Sequence, residues 1–189
     1  AEQSGFIMEM GYETYQKILA EAMEELGVET GIAVNTARST FVTDCTIETD
    51  QQALIPDNFI DVNPEKIRIY KQLDSMTSDK DIDRLSAQLS DRFGKLPQEV
   101  ENLFYVLKIR NLGAALGFDK IIIKNGMMIL FFISNPMSPY YKSQVFTNVL
   151  EKVGEHPMFT MKQVENKLKL VTRKIDSLEK AYATLRLLQ

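Results

Sequence analysis

A single cysteine, Cys45, and a single histidine, His156, are all that 189 residues offer as soft metal ligands or strong nucleophiles. One cysteine cannot make a disulfide within the chain, and a lone Cys and a lone His so far apart in sequence argue against a zinc site. Cys45 is expected as a small buried apolar group. Long hydrophobic runs are also missing. The longest, Met127 to Ile133, suits a buried strand and falls well short of the roughly 20 residues that cross a bilayer. No signal peptide appears in the sequence, so the expected setting is cytoplasmic, with no membrane contact. Bases are scarce: the net charge is -4, whereas a general nucleic-acid binder needs a surplus of Lys and Arg. The usual catalytic patterns are absent too. There is no G-x-x-x-x-G-K-[ST] loop to cradle ATP phosphates, and no G-x-G-x-x-G, G-x-S-x-G, H-E-x-x-H or C-x-x-C. Asp79, Asp81 and Asp83 lack the glycine and distal glutamate of a calcium loop and read as acids at a helix start. The chain is therefore expected to hold no metal, no cofactor and no catalytic residue of its own.

Hydrophobic residues make up 44%, enough for a real core. Charge is unevenly spread. Residues 1–62 carry twelve acids against Lys17 and Arg38, a net -10; residues 63–156 net +2; residues 157–189 net +4. The basic end suits a solvated helix face with strand edges, or contact with an acidic partner or a phosphate backbone through Lys162, Lys167, Lys169, Arg173 and Lys174. The chain opens on Ala1 and the polar Glu2-Gln3-Ser4-Gly5, as expected of a piece of a longer polypeptide.

Helical spacing of Tyr12, Tyr15, Ile18, Leu19, Ala22, Met23 and Leu26 predicts a helix over 12–26, its other face acidic, with Gly27 as its stop. Residues 27–40 read as a linker. Alternation over Phe41–Thr49 predicts a half-buried strand. Asn63-Pro64-Glu65 signals a helix capped by Asn63, with Ile67, Tyr70 and Leu73 inward. Ser78 and Asp81 signal a second helix by a capping pattern, with Ile82, Leu85, Leu89 and Phe93 on one face and Gly94 closing it. Pro97 opens a third helix, with Val100, Leu103, Phe104, Leu107 and Leu112 inward and Gly117 as its stop.

Beyond the helical block the pattern changes to strands. Asn125-Gly126 between two apolar runs predicts a hairpin on a type I′ turn, whose two positive φ angles Asn and Gly tolerate. A helix is predicted from Ser138-Pro139 to Gly154, carrying Tyr141, Val145, Val149 and Leu150. A second hairpin turns at Glu165-Asn166, and a last helix buries Ile175, Leu178, Tyr182, Leu185 and Leu188. The fold class is α+β: a helical block over about 63–116, then antiparallel β hairpins with helices on one face.

Two stretches resemble a known family. Glu2-Gln3-Ser4-Gly5 followed by Met10-Gly11-Tyr12 and Tyr15 resembles the segment closing the second motor lobe of bacterial transcription-repair coupling factors, which are superfamily 2 DNA translocases. Ile55-Pro56-Asp57-Asn58-Phe59-Ile60-Asp61-Val62-Asn63, then Tyr70-Lys71, Asp91-Arg92-Phe93-Gly94, Leu96-Pro97 and Leu116-Gly117 resemble the motifs of that family's C-terminal domain. Departures are Gln88, where relatives often carry Glu, and Lys66-Ile67 in place of Arg-Leu.

The resemblance implies three segments: a motor-lobe tail over 1–26, a linker over 27–40 and a C-terminal regulatory domain over 41–189. It implies that the parent protein uses ATP and magnesium to translocate on double-stranded DNA. The parent would displace RNA polymerase stalled at damage and recruit the excision-repair recognition protein. The C-terminal domain would act as an autoinhibitory clamp on an N-terminal module of the same polypeptide. Gln3 then falls on the translocation-motif glutamine, with no motor in this chain to couple to. Gln88, Asp91 and Arg92, at i, i+3 and i+4, are expected on the interdomain surface, with local capping or an intradomain pair as the alternative for Asp91 and Arg92. Contact with DNA through the basic C-terminal region is the rival function.

Overall fold

The computed structural model of the chain describes residues 41–189. The segments expected as a motor-lobe tail with Gln3, a helix over 12–26 and a linker over 27–40 lie outside the described residues. The described chain forms two compact units, one over 52–107 and one from 41–51 together with 108–189. No helix among the described residues is long and apolar enough to cross a membrane.

The first unit is helical. Helix α1 spans Asn63–Asp74 and α2 spans Asp79–Phe93, while α3, Gln98–Leu116, runs on past the end of this unit. The stripe of α1 is Lys66, Ile69, Tyr70 and Leu73 at i, i+3, i+4 and i+7, with Ile67 only half-buried. A lysine thus holds a place in the apolar face. Val62, in extended backbone, is the N-cap of α1. Asn63 is already helical, and its Oδ1 is buried without a hydrogen-bond partner among the described residues, so it does not cap as the sequence suggested. Ser78 does hold the N-cap position of α2, without a side-chain cap bond. From α2 the chain buries Ile82, Leu85 and Leu89, and from α3 Val100, Leu103, Phe104 and Leu107. Each such side chain contributes about 1.5–3 kcal/mol through loss of apolar surface to water. Gly94 ends α2 at φ 94° and donates its N–H to Ser90 O at 2.9 Å.

The second unit is a five-stranded sheet with helices. The strands are β1 Thr46–Thr49, β2 Phe118–Lys124, β3 Met127–Phe132, β4 Thr160–Val164 and β5 Lys167–Arg173, in the order β1-β2-β3-β5-β4. Four pair antiparallel as two hairpins, at Asn125-Gly126 and Glu165-Asn166, as expected. β1 adds a parallel edge against β2, making the sheet mixed. The fold is α+β. The helix expected from Ser138 is broken in two, a 3-10 turn over Pro139–Lys142 and α4 over Gln144–Glu155. The break has a local cause. Ser143 sits in extended backbone, and its hydroxyl accepts from Phe146 N–H, starting a new helix. Tyr140, not Tyr141, is the fully buried tyrosine, and Leu150 is exposed. The last helix, α5, spans Leu178–Arg186.

One face of the sheet is the core of this unit. Ile47, Ile121, Ile123, Met128, Leu130, Leu170 and Thr172 alternate into it and are buried. Cys45 is buried, and Gly113 of α3 comes so close that a Cβ there would lie 2.7 Å from Ile121 Cδ1 and 3.0 Å from Cys45 Sγ. Burial pushes the Cys45 thiol well above its ordinary value, consistent with an inert apolar role. Tyr140 packs with Phe41, Phe132, Tyr141 and Phe146, ring centroids 5.3–6.3 Å apart. Its hydroxyl donates to Leu116 O at 2.6 Å.

Candidate functional site

The three sequence blocks from 55 to 94 meet in one cluster of the helical unit. Pro56 O accepts from the N–H groups of Phe59 and Ile60 at 3.0 and 3.1 Å, folding Ile55–Ile60 into a tight turn. Ile55 N–H donates to the Tyr70 hydroxyl at 2.9 Å, fixing that turn on α1. Burial pushes the Tyr70 phenol up to about 12. The Lys66 ammonium, only 4% exposed, pairs with the Asp57 carboxylate of the turn. A buried ammonium needs that anion, because desolvating an unpaired charge costs several kcal/mol. Phe59 packs on Phe93 with ring centroids 5.7 Å apart, joining the turn to the end of α2.

The three residues expected at an interface lie on that end. Gln88, Asp91 and Arg92 are all exposed on α2. Arg92 is held within the unit. Its Nη1 donates to Glu65 Oε1 of α1 at 2.8 Å, and its guanidinium lies 4.8 Å from the centroid of the Phe93 ring. Glu65 also accepts from Arg68 at 2.6 Å, and these bonds, that of Arg68 foremost, hold its carboxyl below its ordinary value. The side chains of Gln88 and Asp91 make no hydrogen bond or ion pair among the described residues. Asp91 therefore offers an open carboxylate, one position before an arginine held by Glu65 and Phe93. Phe93 is half-buried, a bracket for Arg92 as much as core. Sequence reasoning named Glu65 only as part of a helix start and Lys66 only as a departure from the family motif, and gave neither a place in the site. The lysine was findable, since position 66 falls on the 69-70-73 stripe of α1.

A family model, the TRCF domain, matches residues 49–143, just over half of the chain. The chain belongs to the TRCF domain family. It is similar to transcription-repair-coupling factors of Bacillus subtilis (34% identical over 110 residues, 58% of this chain and 9% of the relative) and Escherichia coli (29% over 159 residues, 82% and 13%). It is also similar to that of Rickettsia typhi (27% over 176 residues, 93% and 14%). The chain thus spans about a tenth of the length of these relatives. In fold it matches a crystal structure of the C-terminal domain of a transcription-repair coupling factor, with TM-score 0.63 and 17% identity, covering 77% of this chain and 92% of that one.

Within this TRCF chain the basic C-terminal residues form a second cluster. Lys167, Lys169 and Arg173 alternate along β5, and Lys162 of β4 pairs with Lys169, so all four share the sheet face opposite the core. Lys120 and Lys124 of β2 join them, bridged by Glu48 at 3.0 and 3.7 Å. These bonds, that of Lys120 foremost, lower the Glu48 carboxyl. Lys174 follows the strand end at φ 61°. Lys120 and Lys124 were missed because the residues sharing a sheet face are set by strand order, which local sequence does not carry. Among the described residues no three of His, Cys, Asp and Glu gather as a metal would need.

Proposed function

We propose that this chain is the C-terminal regulatory domain of a transcription-repair coupling factor and works as an interdomain clamp, not as an enzyme. The parent would be an ATP- and magnesium-dependent DNA translocase. It would displace RNA polymerase stalled at lesions and recruit the excision-repair recognition protein through an N-terminal module of the same polypeptide. The clamp would cover that module until the motor engages, and the setting would be cytoplasmic. One observation carries this reading. At the end of α2 an open Asp91 carboxylate and Gln88 lie beside Arg92, which Glu65 and Phe93 hold in place. An arginine already fixed in place, with an exposed carboxylate one position away, suits a polar contact that must form and release, because the arginine loses little side-chain entropy on binding.

Asp91→Arg in the full-length parent tests it. The change removes an exposed carboxylate without a partner among the described residues, so the stability of the isolated chain should move by no more than about 0.5 kcal/mol. Affinity of the full-length protein for the repair protein should rise, as the covered module becomes available. Unchanged affinity with unchanged stability would refute the clamp at this surface.

A further inference from the structure

The face of the sheet opposite the core carries a pattern that the clamp does not use. Its middle row, read across the strands by register, is Glu48, Ile122, Ile129, Val171 and Thr160. The row on one side is Lys120, Phe131, Lys169 and Lys162, and the row on the other is Lys124, Met127 and Arg173. Side-chain contacts follow these rows. Lys169 Nζ lies 5.8 Å from the Phe131 ring centroid, and Arg173 Nη1 lies 3.3 Å from Met127 Sδ. Lys162, Lys167 and Arg173 are exposed, Ile122, Ile129 and Phe131 are only half-buried, and Val171 is buried. With Lys167, six bases and one acid share the face, in a chain whose net charge is -4.

We infer that this face is a docking site for an acidic amphipathic helix of a partner protein. Spacing supports that shape. Alternate residues along a strand stand about 6.8 Å apart, and strands about 4.8 Å apart. An aliphatic row thus crosses the sheet with a basic row about 7 Å away on either side. A helix about 10 Å wide lying across the strands sets its apolar stripe on Ile122 and Ile129, with the buried Val171 as the floor of the row beside them. Acids on its two flanks then reach Lys120, Lys169 and Lys162 on one side, and Lys124 and Arg173 on the other. Four strand spacings, about 19 Å, correspond to about 13 helical residues. Nucleic acid fits less well. Ile122, Ile129 and Val171 have no π-face for a base, the one aromatic of these rows, Phe131, is topped by Lys169, and a phosphate backbone gains nothing from an aliphatic centre.

The probe is a fluorescein-labelled 18-residue peptide with Leu at i, i+3, i+4 and i+7 spacing and Glu elsewhere, titrated with the full 189-residue chain and read by anisotropy. The expected result is saturable binding, weakened at least about tenfold by Lys169→Glu with Arg173→Glu, and also by Ile129→Gln, with no binding of a Lys-for-Glu version of the peptide. The paired charge change lies at the surface and leaves the core intact, so it remains informative if Ile129→Gln unfolds. Amide shifts in ¹⁵N spectra should centre on Ile122, Ile129 and Val171. Absence of peptide binding would overturn the inference. So would binding insensitive to the charge changes, or tighter and steeply salt-dependent binding of a 20-nucleotide oligo(dT), which would give the face to nucleic acid.

Discussion

Replacing Gly117 by Ala should be among the most damaging single-methyl additions in the chain. Gly117 ends α3 at φ 95°, where a Cβ is strained. That Cβ would lie 2.1 Å from Tyr140 Cε2, 2.2 Å from Cζ and 2.6 Å from the hydroxyl oxygen, inside any allowed contact. Tyr140 has little room to yield, because Phe41, Phe132, Tyr141 and Phe146 surround it and its hydroxyl is tied to Leu116 O. Gly94 provides the control. Its φ of 94° is nearly the same, and a Cβ there meets nothing within 4 Å. Gly94→Ala thus measures backbone strain alone, about 1–3 kcal/mol. Gly117→Ala should cost about 1–3 kcal/mol more, the usual penalty of overpacking, with a further loss if the tyrosine hydroxyl leaves its buried carbonyl. Urea denaturation followed by circular dichroism of both variants gives the difference. Equal destabilisation would mean that Tyr140 moves freely and that the aromatic cluster is not a rigid wall.

Asp57→Ala leaves the Lys66 ammonium buried without its anion and should cost about 1–3 kcal/mol, less than a fully buried pair because Asp57 is half-exposed; adding Lys66→Met should recover stability, and its failure to do so would show the charge is not the cause. Tyr70 and Tyr140, both raised by burial, should be among the last of the seven tyrosines to ionise in an absorbance titration at 295 nm. The sign follows from linkage: the native state disfavours the phenolate, so the stability Tyr70 supplies is full below its ordinary value of 10 and is lost as pH rises towards about 12. Tyr70→Phe should flatten that loss, and seven tyrosines titrating together near 10 would count against the burial described.

The parts of the fold legible in sequence are those written by local chemistry. Pro64 and Pro97, Gly94 and Gly117, and Asn125-Gly126 mark where helices and turns begin or end, because their backbone preferences hold whatever surrounds them. The parts that were not legible depend on distant partners. Nothing near Thr46–Thr49 shows that this strand runs parallel to Phe118–Lys124. Tyr140 and Tyr141 are indistinguishable until Gly117 and Phe132 supply the wall against which one of them packs. At the candidate site, the exposure of Gln88, Asp91 and Arg92 followed from helical spacing, but the hold of Glu65 on Arg92 joins two helices 27 positions apart and needed the structure.

The parallel edge strand also imposes an order of events during synthesis. Thr46 pairs with Lys120, 74 positions later (120 less 46), and the helical unit over 52–107 occupies most of the chain between. At roughly 5–20 residues per second, a ribosome takes roughly 4–15 s to produce the partner of β1. The helical unit, rich in near-neighbour contacts, can form in that interval, whereas β1 must wait. A folded insert also draws its two ends together, which shortens the loop that β1 must close and lowers its entropic cost.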